Sequence, residues 1–210
     1  MRNRLVGVLF LAGVFMSATA EASPITINFT GVVALSFPGG MAVPTPLTGW
    51  YTYESTTPDT NANAFDGTYA AVTAYSMSAG SWSATGSTGT ISVADGGFFG
   101  DLYQVSLPVT TFLGALPPLG PFEWLLRDNS QTAIGSDDLP TSLDLAAFGS
   151  VNLFRLPYST VCGDGCGYPG LFGYISSVTV STAPAAVPEP GTLLLIGTGL
   201  AFVVARRRRR

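Results

Sequence analysis

Apolar and polar side chains alternate along most of the chain between residues 23 and 180, and this period of two constrains the fold more than any other feature. From Ile25 to Phe37 the odd positions are all apolar residues or glycine, and most even positions are Thr, Asn or Ser. Such alternation is typical of a β-strand with one buried face. Seven further stretches repeat the pattern: residues 47–54, 69–78, 89–93, 102–107, 122–126, 151–156 and 172–180.

Turn-forming pairs such as Pro58-Asp59 and Asp66-Gly67 separate these stretches. Residues 143–148 fit a single helical turn, and we find no amphipathic helical pattern of ten or more residues in the body. We therefore predict an all-β fold, a single antiparallel β-sandwich of jelly-roll or lectin-like topology, over residues 23–180. Residues 181–187, rich in Ala and Pro, are predicted to be a linker.

The N-terminal 22 residues have the layout of a cleavable secretory signal peptide. Arg2 and Arg4 precede an apolar run, residues 5–18, and two small-x-small sites follow at residues 18–20 and 20–22. The run is shorter than the ~20 apolar residues that span a bilayer, which disfavours the alternative of an uncleaved anchor. We expect the secretion translocon and signal peptidase to act on residues 1–22.

The C-terminal region combines a proline motif, an apolar segment and a basic cluster. The apolar segment, residues 192–205, carries no charge and is predicted to be a transmembrane helix. Its 14 residues reach only about 21 Å as a helix, against a hydrocarbon core of ~30 Å, so they suit a transient membrane intermediate. The motif is Val187-Pro188-Glu189-Pro190, and the stop-transfer cluster, predicted to be cytoplasmic, is Arg206, Arg207, Arg208, Arg209 and Arg210.

Together with the signal peptide, residues 187–210 resemble the PEP-CTERM sorting domain. Proteins with that domain are exported by Gram-negative bacteria and recognised by exosortase, a multi-pass membrane enzyme similar to a cysteine protease. The resemblance implies that Pro188, Glu189 and Pro190 are the recognised residues, and proline geometry predicts that they are extended and accessible. It also implies passage through the inner membrane to the cell surface or extracellular matrix, often in exopolysaccharide and biofilm settings.

Charge excludes one class of partner. Residues 23–187 contain eleven acidic residues and only two bases, Arg127 and Arg155, so the net charge of this body is −9. A body of this charge repels phosphate backbones, and we expect no nucleic-acid binding.

The two cysteines, Cys162 and Cys166, are separated by Gly163-Asp164-Gly165. In an oxidising compartment, this spacing predicts a local disulfide, because the glycines allow the backbone to turn tightly. A metal or redox site is the alternative, but the sequence has no histidine and two sulfurs do not complete a tetrahedral zinc site.

Residue types also limit the possible chemistry. Without histidine or lysine the chain cannot form a Ser-His-Asp triad or a Schiff base. A glycosidase-like carboxylate pair remains open, from Glu54, Glu123, Asp101 and Asp137-Asp138. Calcium binding also remains open, through Asp95, Asp101, Asp128, Asn129, Asp137 and Asp138. Because Asp and Asn dominate turns, we expect a turn role for them, with no cofactor and no enzymatic activity.

We therefore predict a non-enzymatic exported protein of the cell surface or matrix, with two alternatives. One is a tail-anchored periplasmic protein. The other is a carbohydrate-binding module, whose best outward ring is Trp50 because it lies out of phase with its aromatic neighbours. The aromatic candidates are Trp50, Tyr51, Tyr53, Tyr69, Tyr75, Trp82, Tyr103 and Trp124.

Overall fold

The computed structural model describes residues 24–37, 41–97, 100–109, 111–113, 120–157 and 170–182. The predicted signal peptide, Cys162 and Cys166, and all of the C-terminal sorting region from residue 187 to residue 210 lie outside these ranges, so the assignments made there stay predictions. Within the described ranges, no helix is long and apolar enough to cross a membrane.

Ten β-strands and one turn of 3-10 helix, Leu145–Ala147, form the described part of the chain. The 3-10 turn falls inside the stretch predicted to form one helical turn, and Asp144 caps it by accepting a hydrogen bond from the Ala146 N–H. The strands are β1 Pro24–Phe37, β2 Thr45–Glu54, β3 Asp66–Ala79, β4 Trp82–Gly86, β5 Gly89–Ala94, β6 Asp101–Leu107, β7 Thr111–Leu113, β8 Phe122–Asp128, β9 Val151–Pro157 and β10 Gly170–Thr182.

Eight of the strands close into an antiparallel barrel. Their order around the ring is β2, β1, β10, β9, β8, β6, β5 and β3, and β2 also pairs with β3 from Leu47 opposite Ala79 to Tyr53 opposite Val72. The all-β class is confirmed. The predicted sandwich, in contrast, would have two separate sheets with edges, and here the pairing of β2 with β3 removes those edges.

The other two strands extend this sheet beside the ring. Residues 75–79 of β3 pair with β4 instead of β5, and β4 in turn pairs with β7. Trp82, at the start of β4, is buried and belongs to the same hydrophobic core as the ring. The extension therefore packs on the barrel without interrupting it.

The barrel interior is filled mainly by aromatic rings. Phe29, Tyr51, Tyr103, Phe122 and Trp124 come from four different strands and are all buried. Phe29 stacks on Phe122 with ring centroids 6.2 Å apart, and Tyr103 meets Trp124 edge-on at the same distance. An eight-stranded barrel is just wide enough to be filled by side chains, and these rings fill it.

Inward-facing glycines provide the space for these rings. A Cβ placed on Gly49 would lie 2.5 Å from the ring of Phe29. A Cβ on Gly173 would overlap the Val32 carbonyl oxygen and lie 2.6 Å from the Phe154 ring. The absence of a side chain at each of these two glycines therefore leaves room for an aromatic ring that packs against it from another strand.

We predict that Gly173→Ala lowers the free energy of unfolding by about 2 kcal/mol or more, because the added methyl collides with backbone as well as with Phe154. Urea unfolding of the purified full-length protein, followed by tryptophan fluorescence, measures this. The matched control is Gly149→Ala, where no described atom lies within 4 Å of the added carbon, and we expect a change within about 0.5 kcal/mol. Equal effects of the two substitutions would contradict the packing argument.

Candidate functional site

Two of the predicted carboxylates, Asp101 and Asp128, meet at one end of the barrel. They lie directly opposite each other on β6 and β8 and are the buried charged residues of the described chain. Both sit in the inward-facing phase of their strands. Such a pair could in principle form a catalytic carboxylate pair, so its hydrogen-bond partners decide its role.

The Asp101 carboxylate is occupied by backbone donors from two loops. It accepts hydrogen bonds from Gly96 N at 2.8 Å, from Ala133 N at 2.8 Å and from Ile134 N at 2.9 Å. The first donor belongs to the β5–β6 connection and the other two to the long connection between β8 and β9. Asp101 therefore fastens both connections to the end of the barrel.

Asp128 holds the start of the same long connection. Its two oxygens accept hydrogen bonds from the Ser130 hydroxyl at 2.7 Å and from Thr132 N at 3.0 Å, and Ser130 N and the Thr132 hydroxyl add two more. These hydrogen bonds, led by that of the Ser130 side chain, lower the pKa of Asp128 to about 2. The carboxylate is thus charged at neutral pH and saturated with donors.

Residues 129–150, here called the barrel-end loop, are also held by tyrosines that project from the barrel wall. Tyr53 donates its hydroxyl to the Pro140 carbonyl oxygen, and Tyr69 donates to the Asp137 carbonyl oxygen at 2.9 Å. Leu139 and Phe148 of the loop are buried in the main core. The loop is therefore an integral part of the fold.

Two phenols meet beneath this loop. The hydroxyls of Tyr51 and Tyr103 lie 2.7 Å apart, and burial first, then the neighbouring tyrosine, raises the pKa of Tyr51 well above its ordinary value. Burial likewise raises the pKa of Tyr103. Both phenols remain protonated at neutral pH, and the pair satisfies two buried hydroxyl groups.

A cavity of about 360 Å³ lies between Tyr103 and the barrel-end loop. Leu139 and Phe148 form apolar parts of its wall, and Ser136 and Thr141 form polar parts. The aspartates considered for calcium binding do not converge here: among the described residues, no three His, Cys, Asp or Glu side chains are placed to hold a metal ion.

The outward-facing ring predicted from the alternation is present. Trp50 is 38% exposed on the outer face of β2, and its register partners are Asn28 on β1 and Ser76 on β3. Thr48 and Thr52 flank it two positions away on β2. We call these five uncharged residues the Trp50 face. The other seven aromatic candidates are buried: Tyr51, Tyr53, Tyr69, Tyr75, Trp82, Tyr103 and Trp124.

Sequence reasoning missed one exposed ring. Phe65 is 64% exposed, more than any other large hydrophobic side chain of the described chain, and it lies in the connection between β2 and β3. The sequence did contain a signal for it. Phe65 is an isolated aromatic residue just after a polar stretch, residues 54–63, that has no strand-like alternation. Phe65 is of interest because it lines the same cavity as the apolar side chains of Leu102 and Leu125, and grouped apolar surface can mark a binding groove.

We predict that acid destabilises the protein partly through Asp128. Its pKa is lowered in the folded state, so its stabilising contribution is complete above its ordinary value near 4 and is lost as the pH falls towards 2. Urea midpoints at pH 5 and pH 2.5 test this. The midpoint should fall less in Asp128→Asn than in the wild type, and an equal fall in both would contradict the assignment.

Comparison with known proteins adds a signal at the C-terminal end of this all-β protein. A family model described as the PEP-CTERM protein-sorting motif matches residues 186–210. No match was found among curated proteins or among solved structures. The chain therefore carries a PEP-CTERM sorting motif, as the resemblance indicated. The motif implies export through a membrane-associated sorting step to the cell surface, with an exosortase-type enzyme as the processing partner.

Proposed function

We propose that this protein is a non-enzymatic component of the bacterial cell surface or extracellular matrix, released there by exosortase-type processing. The sorting motif at residues 186–210 carries this proposal. The N-terminal signal-peptide pattern supports it, because translocon and signal peptidase would deliver the barrel to the side of the membrane where exosortase substrates are processed. An exopolysaccharide or biofilm matrix of a Gram-negative bacterium is the proposed destination.

The proposed absence of catalysis is supported by what the carboxylates do. Asp101 accepts three backbone hydrogen bonds, and Asp128 is saturated by Ser130 and Thr132. A general acid or base has to exchange a proton with a substrate, whereas these two groups hold loops in place. Glu123, another candidate, forms an ion pair with Arg155 on the outer face of the barrel.

The position of the motif suits a processing enzyme. The last strand, β10, ends at Thr182, and the matched motif begins at residue 186. Proline lacks an N–H donor and disfavours helix in the residue before it, so Val187 and Glu189 favour extended backbone. A protease-like enzyme needs an extended segment of this kind, close to the membrane and beyond the folded domain.

We predict that replacing Pro188, Glu189 and Pro190 with alanine leaves the full-length protein in the inner membrane, because the recognised motif is lost. Cell fractionation and C-terminal mass spectrometry measure this. The matched control is Pro184→Ala, which removes a proline upstream of the match and should be released normally. Normal release of the triple variant would contradict the proposal. A wild-type protein that keeps Arg206–Arg210 and stays in the membrane would instead support the tail-anchored alternative.

Carbohydrate binding is a second candidate, favoured by the Trp50 face. A partly exposed indole surrounded by hydroxyl and amide side chains presents a stacking surface together with hydrogen-bonding groups. Thr52 is hydrogen-bonded to Thr26 at 2.8 Å and Thr48 to Ser78 at 3.2 Å, so the hydroxyl groups form an ordered array. A polysaccharide chain could lie across β1, β2 and β3, where the Trp50 ring and these hydroxyl groups are presented on adjacent strands.

We predict that Trp50→Ala weakens polysaccharide binding about tenfold, because about 60 Å² of lost apolar contact is worth about 1.5 kcal/mol. Affinity electrophoresis of the purified full-length protein in gels containing exopolysaccharide measures this. The control is Tyr174→Ala, which removes another exposed aromatic ring, on β10. If the two variants behave alike, the Trp50 face has no role in recognition.

A further inference from the structure

A groove on the outside of the barrel is built differently from the Trp50 face. It has a volume of about 660 Å³ and lies where the β2–β3 and β5–β6 connections meet the outer face of β6 and β8. Cavities that take small ligands usually have volumes of roughly 300–1,000 Å³. We call it the Phe65 groove and define it by Asn63, Phe65, Asp66, Leu102, Leu125 and Arg127.

The floor of the groove is apolar although it faces outward. Leu102 and Leu125 are out of phase with the buried residues of their strands, and Arg127 lies opposite Leu102 and two positions along from Leu125. The outer face of β1, in contrast, carries Thr, Asn or Ser at most such positions. Leu102 and Leu125 together with Phe65 form a grouped apolar surface with polar residues at its rim, an arrangement found in ligand-binding grooves.

Phe65 is held in its exposed position by the backbone around it. Its N–H donates to Asn63 Oδ1 at 3.2 Å, and its carbonyl oxygen accepts from Asp95 N at 3.1 Å. Asp59 Oδ1 fastens the same connection by accepting from Asn61 N at 2.8 Å and from Thr68 N at 2.7 Å. These hydrogen bonds fix the backbone that carries the ring at the rim of the groove, which reduces the entropic cost of binding a ligand there.

The polar groups of the groove are balanced in charge. Asp66 and Arg127 contribute one negative and one positive side chain, and the Asn63 amide donates to Asp66 Oδ2 at 2.6 Å. This balance is unusual in a body of net charge −9. A strongly anionic or cationic ligand meets one unfavourable charge here, whereas a neutral ligand with many hydroxyls can donate to Asp66 and accept from Asn63 and Arg127.

We propose that the Phe65 groove binds a neutral pyranose ring of a glycan. The C–H face of the sugar covers Phe65, Leu102 and Leu125, while its hydroxyl edge reaches Asn63, Asp66 and Arg127. The site is separate from the Trp50 face, because on β3, the strand that contributes to both, Asp66 and Ser76 lie ten residues apart. It goes beyond the sorting function and shares only the class of ligand with the second candidate.

Hexasaccharides of glucose, mannose and galactose, titrated into the purified full-length protein, test the groove by calorimetry. We expect Phe65→Ala to weaken binding of at least one of them about tenfold and Phe65→Tyr, which keeps the ring, to bind normally. A matched pair tests the floor: Leu125→Ser should weaken binding, and Leu153→Ser, which changes the facing leucine on β9 outside the groove, should not. All three positions are at least partly exposed, and circular dichroism verifies the folding of each variant.

The outcomes separate the groove from the other proposals. Loss of binding in Phe65→Ala with normal binding in Trp50→Ala supports the groove. Loss in Trp50→Ala alone, or no binding of any neutral hexasaccharide by the wild type, overturns it. Neither result affects the sorting proposal, whose readout is release from the membrane.

Discussion

A closed barrel of eight strands is stable only if its interior is filled, and in this protein aromatic rings fill it. Phe29 crosses the barrel over Gly49, and Phe154 crosses over Gly173, so each of these two rings is matched by a position without a side chain. This packing constrains the register of the paired strands, because a shift by one residue would turn these rings out of the interior. Trp124, buried among Phe29, Tyr51 and Tyr103, is at the centre of this arrangement.

Filling a barrel with tyrosine as well as phenylalanine creates buried hydroxyls that require partners. Tyr51 and Tyr103 satisfy each other, whereas Tyr53 and Tyr69 reach out of the barrel to carbonyl oxygens of the barrel-end loop. Backbone N–H groups of the loop also require acceptors, and the carboxylates of Asp101 and Asp128 provide them. The acidic pair is therefore a consequence of closing the barrel end: Asp101 and Asp128, which the sequence offered only as separate candidates, meet across β6 and β8 and hold loop backbone in place.

The eight stretches of alternation in the sequence correspond to the eight strands of the ring, and the two strands that the pattern missed, β4 and β7, lie outside it. The phase of the alternation also predicted that Trp50 faces outward and Tyr51 inward, as the structure confirms. Alternation identifies which face of a strand is buried, but not which strand lies beside it. The sequence pattern therefore could not distinguish a sandwich from a barrel closed by the pairing of β2 with β3. Phe65 escaped prediction because its exposure depends on hydrogen bonds within a loop, which have no period.

The ring order also relates the barrel to its export. Ile25, the second residue of β1, is the register partner of Thr182, the last residue of β10, and also of Tyr53 on β2. The first and last strands are therefore neighbours, and the barrel cannot close until the end of β10 has been translated and has crossed the membrane. At that moment the segment still to be transported is the one that contains the sorting motif, beginning at residue 186. The start of β1 and the end of β10 therefore lie side by side, and all eight strands of the ring lie between the predicted signal peptide, residues 1–22, and the matched motif, residues 186–210.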